Sequence, residues 1–311
     1  MKKTFQKTLI AAAAGVALMS AVGTASANSL LFPYFTTATG AQSVLSLSNA
    51  GTTPATETLH YVYNYGSACT HFDANGSLTA NDILSHSIAA TTAGGFGKVV
   101  STDTSTPVYF PLANQTGFLV VSSRTTASTD ALRGSMAIVD PASGLVVSYA
   151  GIDNNLASNG ANEGNFAAIT DLNFPLTSLP SSAVTTSWYG VVVGDMNAAI
   201  AGGLNWGGSV SITNVGTGVW NNEEVLVSGT STKTLRCSGS IVASDLMNSA
   251  QAAAVGANGS LVKAGATSIA AVAPAVGTGT GLVLMKMQTV QAAVGAPFAG
   301  KQFLHREQAG L

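Results

Sequence analysis

Short runs in which apolar and polar residues alternate recur along the whole chain, at residues 59–65 (LHYVYNY), 117–123, 135–139, 145–149, 188–193 and 224–227. They are rich in Val, Ile, Thr, Tyr and Ser and are separated by Gly, Asn and Pro. A period of two turns one face of an extended segment to a core and the other to solvent. The pattern therefore predicts half-buried antiparallel strands, and several of them at such intervals predict a β-sandwich. Helix is a minor component. Thr79 and Asp82 read as the capped start of a short helix through Ile83 and Leu84, and the alanine-rich residues 244–255 as a second. The expected class is all-β with a few short helices.

The same patterns occur twice. Residues 43–51 (SVLSLSNAG) match 209–216 (SVSITNVG), residues 77–84 (SLTANDIL) match 240–247 (SIVASDLM), and residues 116–121 (TGFLVV) match 280–285 (TGLVLM). The offsets lie between 163 and 166 and the order is kept. Three blocks at nearly one offset predict a tandem duplication of two β-sandwich domains, spanning 28–158 and 184–311. Residues 153–165 are dense in Asn, Gly and Ser, and Pro175 and Pro180 follow, so 159–183 reads as a linker.

The first 27 residues differ from the rest. Lys2, Lys3 and Lys7 precede an apolar run over 9–22, and Ala25-Ser26-Ala27 puts small residues at the positions a signal peptidase reads. This is the pattern of a secretory signal peptide cleaved after Ala27, with Asn28 as the mature N-terminus. The run is too short and too alanine-rich for a membrane anchor, and later apolar stretches such as 190–194 and 281–287 are strand-length, so no transmembrane helix is expected after signal removal.

Composition narrows the function classes. Only 8% of the residues are charged, 46% are hydrophobic, and the net charge is −2. Such a chain has apolar surface to bury and little self-repulsion, which argues against disorder. The 12 basic residues are scattered among 14 acidic ones, so the clustered cations that nucleic acid requires are missing. Loss of the three leader lysines takes the net charge to −5. Low charge also suits contacts between subunits, because few ions would need desolvating there.

Cys69 and Cys237 are the two cysteines, one in each copy at a similar position. Export favours a disulfide, and a pseudo-twofold arrangement of the copies would make it an interdomain bridge; intermolecular pairing and buried free thiols are the alternatives. Cys69, His71 and Asp73 alternate, so on a strand they would share a face and offer ligands to copper or zinc, with His60 or His86 as a fourth. Asp73, Asn75 and Asp82 also fall in a stretch that resembles a dockerin-type calcium loop, two residues short and without the central Asp-Gly pair. An ordinary turn accounts for both patterns as well, and no metal or other cofactor is expected.

No G-x-S-x-G elbow, H-E-x-x-H pair or P-loop occurs, and Glu223 and Glu224 would point to opposite faces of a strand, so no catalytic residues are assigned. Tyr61, Tyr63 and Tyr65 form a one-face stripe, and Trp188, Trp206 and Trp220 gather in the second copy; such rings either stack on sugars or fill sandwich cores. Leu31-Phe32-Pro33-Tyr34 and residues 60–82 resemble uncharacterised exported β-rich proteins of proteobacteria, a resemblance that implies no activity. The expected function is that of an exported, non-enzymatic structural or interaction protein of the periplasm or cell surface, self-assembling or adhesive, with a protein partner or copies of itself. An outer-membrane β-barrel is the alternative, and a carbohydrate-binding protein or hydrolase a further one.

Overall fold

The computed structural model describes residues 25–27, 29–50, 57–65, 69–90, 97–101, 108–110, 114–124, 132–142, 144–154, 164–272, 274–291 and 302–307. The first half contains β1 (Ala25–Ala27), β2 (Ser29–Thr36), β3 (Gln42–Asn49), β4 (Glu57–Tyr65), β5 (Thr70–Leu78) and β6 (Ile83–Ala90). It continues with β7 (Gly97–Ser101), β8 (Val108–Phe110), β9 (Thr116–Ser123), β10 (Leu132–Asp140), β11 (Leu145–Ala150) and β12 (Ile152–Asp153). The second half contains β13 (Asn173–Ser178), β14 (Val184–Gly194), β15 (Ser209–Asn221), β16 (Leu226–Val227) and β17 (Thr232–Arg236). It ends with β18 (Ser238–Val242), β19 (Ser260–Ile269), β20 (Gly279–Val290) and β21 (Gln302–Glu307). Helices Asn197–Gly202 and Ser249–Val255 and a 3-10 turn at Ala243–Leu246 complete the described elements.

The protein is all-β, and its described strands form four antiparallel sheets, an outer and an inner one in each half. The first outer sheet runs β1-β10-β3-β6-β7-β8 with β11 also on β10, and the first inner sheet runs β12-β2-β9-β4-β5. In the second half the outer sheet runs β13-β19-β15-β16 with β17 also on β15, and the inner one β18-β14-β20-β21. Among the described residues these sheets are open and stack face to face, a different arrangement from a single closed sheet.

Burial explains why the strands differ in sequence. Outer strands such as β3 and β13 bury one face, with the patterns eBiBiBiB and eBeBei. The central inner strands β2, β9, β14 and β20 are covered on both. All eight residues of β2 are buried, as are seven of eight in β9. Along β14, Trp188 and Val192 join the core inside the second half, while Tyr189, Val191 and Val193 turn to the other side and join the core of the first half. On β20, Leu282 and Leu284 divide from Val283 and Met285 in the same way. A strand packed on both sides needs apolar residues at consecutive positions, which is why 281–287 reads as a run. The core of the first half is thus continuous with the interface between the halves.

The halves correspond in part. In each, the first long strand (β2, β14) enters the inner sheet, the next (β3, β15) crosses to the outer sheet, and a later one (β9, β20) returns antiparallel beside the first. Two of the matched sequence blocks sit on these equivalent strands. Gly117 and Gly281, matched in sequence, are also matched in crowding: a Cβ would collide with the carbonyl of Asn64 at one and of Ile169 at the other. The third block departs, because β5 pairs with β4 at the far side of β9, whereas β18 pairs directly with β14.

Some local expectations change. Residues 79–82 form a turn between β5 and β6 and start no helix; Asn81 takes φ 58°, and the Asp82 carboxylate accepts from the Thr79 hydroxyl (3.0 Å) and the Ile83 N–H (2.8 Å). The side chain caps a tight turn because β6 follows at once. Residues 244–255 are broken at Met247 into the 3-10 turn and a helix that starts at Ser249. Within the segment read as a linker, residues 159–163 lie outside the described ones. The remainder is built in: Phe166 is fully buried, and β13 pairs with β19 as an edge strand, where Pro175 is tolerated. The alternation of Phe174 and Leu176 drives this, since both side chains enter the second core. Glu223 and Glu224 lie in the turn before β16, with Glu224 at φ 61°, and not on a strand.

A buried polar network fixes the helix Ser249–Val255. Gln251 has no exposed surface; its carbonyl accepts from Asn248 N–H (3.0 Å) and the Asn214 amide (3.1 Å), and its amide donates to the carbonyls of Val227 (3.2 Å) and Gly229 (3.1 Å). Asn214, the matched asparagine at the break in β15, also donates to Leu246 and accepts from Ser231 N–H. Gln251→Ala strands several buried donors and acceptors, so it should cost about 3 kcal/mol in urea unfolding.

Candidate functional site

The chemistry-bearing side chains that the fold brings together lie between the two halves. Cys69 and Cys237 form a disulfide, with Cα atoms 5.6 Å apart and both residues fully buried. Each cysteine stands immediately before a strand of its inner sheet, β5 or β18, and each has a left-handed backbone, at φ 58° and 60°. A side chain at such a φ costs about 1 kcal/mol, which the surrounding structure must offset. The Cys237 backbone is held on both sides, its N–H donating to Gly208 (2.7 Å) and its carbonyl accepting from Val192 (2.8 Å).

Beside the bridge, His71 on β5 spans the same seam. Its Nδ1 lies 3.0 Å from Asn205 Oδ1 in the second half, and its Nε2 3.5 Å from Asp73. Asn205 precedes Trp206, whose buried indole N–H donates to the Val192 carbonyl at 3.0 Å.

Two tyrosines meet across the rest of the seam, and a third supports one of them. The rings of Tyr34 on β2 and Tyr189 on β14 meet edge to face, their centroids 5.1 Å apart. The Tyr189 hydroxyl reaches Ser238, next to the bridge, at 2.9 Å. Tyr149, on β11 of the outer sheet, serves a backbone defect. The β2–β9 register shifts between Phe32 and Phe35, where Pro33 carries no N–H, and the Tyr149 hydroxyl accepts from Tyr34 N–H (3.1 Å) and donates to the Tyr34 carbonyl. Burial, before any other cause, raises the pKa of all three phenols. Tyr149→Phe leaves two buried backbone groups of Tyr34 without this partner, so it should lower stability by about 2 kcal/mol with an unchanged denaturant m-value.

The metal-ligand patterns resolve differently from their spacing. Cys69 is consumed by the disulfide and its left-handed backbone breaks the alternation, so it does not present a thiolate beside His71 and Asp73. Those two do share a face of β5. Asn75 lies further along the same strand, each same-face step being about 6.8 Å, and Asp82 is engaged in its turn, so extended backbone replaces the wrapped loop that calcium ligands need. Among the described residues no group of three or more His, Cys, Asp or Glu could hold a metal ion. The side chains of His60 and His86, and of Tyr61, Tyr63 and Tyr65, lie outside the described ones.

Of the three tryptophans, Trp188 and Trp206 are buried in the two cores, and Trp220 is half-buried under the Lys263 ammonium, 4.8 Å from the ring centroid. They do not share one surface on which a sugar could stack. A groove of about 330 Å³ opens at one end of the second half, lined by Leu179, Val242, Met247 and hydroxyls such as Ser178 and Ser260. Its lining carries no charge, and Ser178 and Ser260 bond each other at 2.9 Å. Sequence patterns singled out the cysteines and His71 but not Tyr34, Tyr149, Asn205 or Gln251, whose roles depend on partners 115, 134 and 37 positions away.

No protein-family model matches the sequence, and no curated protein is significantly similar to it.

Proposed function

We propose that this chain is an exported, non-enzymatic structural or interaction protein of the bacterial periplasm or cell surface, with a protein partner or copies of itself as its target. The observation that carries the reading is where the reactive side chains are spent. Both cysteines, His71, Tyr34 and Tyr189, the groups an enzyme would aim into a cleft, are used to join two halves of one stack. A buried disulfide between halves supports an oxidising compartment, as does the signal-like start of the sequence. Weakly charged outer sheets support protein contact rather than binding of an ionic ligand.

Fractionation of cells into cytoplasm, periplasm, outer membrane and medium tests the export reading. Recovery in an envelope fraction or the medium, with an intact mass starting at Asn28, is the expected result. Retention in the cytoplasm with Met1 to Ala27 attached would overturn it. Turnover in a broad hydrolase screen, abolished by a single substitution, would overturn the non-enzymatic reading.

A further inference from the structure

The groove at one end of the second half carries chemistry that the fold itself does not use. It opens where four strands stop or start, at Ser178 of β13, Val184 of β14, Val242 of β18 and Ser260 of β19. Its volume of about 330 Å³ lies at the lower end of the range of small-molecule pockets, about 300–1,000 Å³. The chain fixes its rim. Ser181 N–H donates to the Ala257 carbonyl (2.8 Å), Val184 N–H to the Pro180 carbonyl (2.9 Å) and Ser260 N–H to Ser178 Oγ (3.0 Å).

Several hydroxyls of the lining are already spent. Ser178 and Ser260 bond each other, and the Thr185 hydroxyl accepts from the Gln291 amide at 2.9 Å. Thr186 differs. It lies two positions before Trp188 on β14, so its side chain enters the same interior. Thr186 is 9% exposed and lines the groove, and its hydroxyl is buried with no hydrogen-bond partner among the described residues. A buried hydroxyl left so is costly and calls for a partner from outside the fold. The hydroxyl and methyl of a threonine exchange places by one χ1 step, so the atom that meets the groove depends on what the groove holds.

The rest of the lining selects against charge. Leu179, Val242, Met247 and Val255 give it an apolar surface, and no ionisable side chain joins them. Asp245, next to the lining, is held by the Lys233 ammonium (2.6 Å) and Val242 N–H (2.8 Å), and the Lys286 ammonium donates to Thr177 (2.7 Å). An ionic ligand would lose its hydration here without gaining a counter-charge.

We infer that the groove binds an uncharged small molecule whose apolar body packs on Leu179, Val242, Met247 and Val255 and whose single alcohol, amide or ester group pairs with the Thr186 hydroxyl. This site stands apart from the protein-partner reading above and does not depend on export.

The test titrates the oxidised protein with hexanol, hexanoate and hexylammonium, which share a chain and differ in head group, and follows backbone amide NMR shifts. Hexanol is then repeated on Thr186→Val, which keeps the shape of the side chain and removes the hydroxyl. Saturable hexanol shifts at Thr186, Val255 and Gly259 are the expected result, with both ions binding at least about tenfold more weakly. Thr186→Val should bind hexanol roughly fivefold more weakly while melting no lower than the parent, because it deletes an unpaired hydroxyl. Absence of saturable shifts at these residues would overturn the inference, as would equal affinity for either ion. Unchanged hexanol affinity in Thr186→Val would overturn it too, since the hydroxyl would then need nothing from a ligand. A Thr186→Val protein that melts well below the parent would show that the hydroxyl already has a partner, with the same consequence.

Discussion

Replacing both Cys69 and Cys237 with Ser should lower the stability of the oxidised protein by about 5 kcal/mol, the entropy recovered by an unfolded chain that is no longer closed over a long loop. The closed loop spans a sequence separation of 168. For a chain of this size the change corresponds to a fall of roughly 8 °C in melting temperature. The halves should nevertheless stay together. Tyr189, Val191, Val193, Val283 and Met285 belong to the same core as Leu30, Phe32 and Phe118, so separating the halves would expose the inner faces of both inner sheets. Thermal melts followed by circular dichroism test the first statement, and the radius of gyration of the double variant in solution tests the second. An expanded variant with intact sheets would mean that the bridge, and not packing, places the halves.

Raising the pH above about 10 should destabilise the protein by up to about 4 kcal/mol per pH unit, through three phenols that each contribute about 1.4. Tyr34 is raised by burial first, then by the neighbouring Tyr189 and Asp140, against a lowering hydrogen bond from Thr36. Tyr149 and Tyr189 are raised by burial against their own hydrogen bonds to Tyr34 and Ser238. An unfolded tyrosine ionises near 10.0. Between that value and the higher folded one, the unfolded chain releases a proton that the folded chain must keep. The contribution is therefore fully present below pH 10 and is lost as the pH climbs past it. Urea unfolding at a series of alkaline pH values measures the slope, and phenolate absorbance should show these rings ionising only together with loss of structure. Tyr34→Phe should make the slope shallower by about a third. A midpoint that does not move with pH would show that the rings are not held protonated by the fold.

Strand class and many strand positions were legible because they are local. Period-two alternation at residues 145–149 or 188–193 follows from the pleat of a single strand, and β11 and β14 contain those residues. The double burial of β2, β9, β14 and β20 was visible only as short apolar runs, since nothing in a run states which sheets lie on either side of it. The turn at Asp82 was misread for a related reason. A Thr-x-x-Asp pattern offers the same oxygens to the first turn of a helix and to a tight turn, and the pairing of Ile83 with Ser48 on β3 is what chose the strand.

By itself, the sequence determined the all-β class, the pairing opportunity of two cysteines, and the matched Thr-Gly and Asn positions that recur on β9 and β20 and on β3 and β15. These depend on residue type and short-range periodicity. Only the tertiary structure decided that the two halves share one core, that His71 turns to Asn205 rather than to a metal, that Tyr149 repairs the backbone of Tyr34, and that residues 173–178 are an edge strand of the second half. Each of these depends on contacts between residues far apart in the chain, where the free energy of burying a face or satisfying a buried donor is settled by the partner that packing supplies.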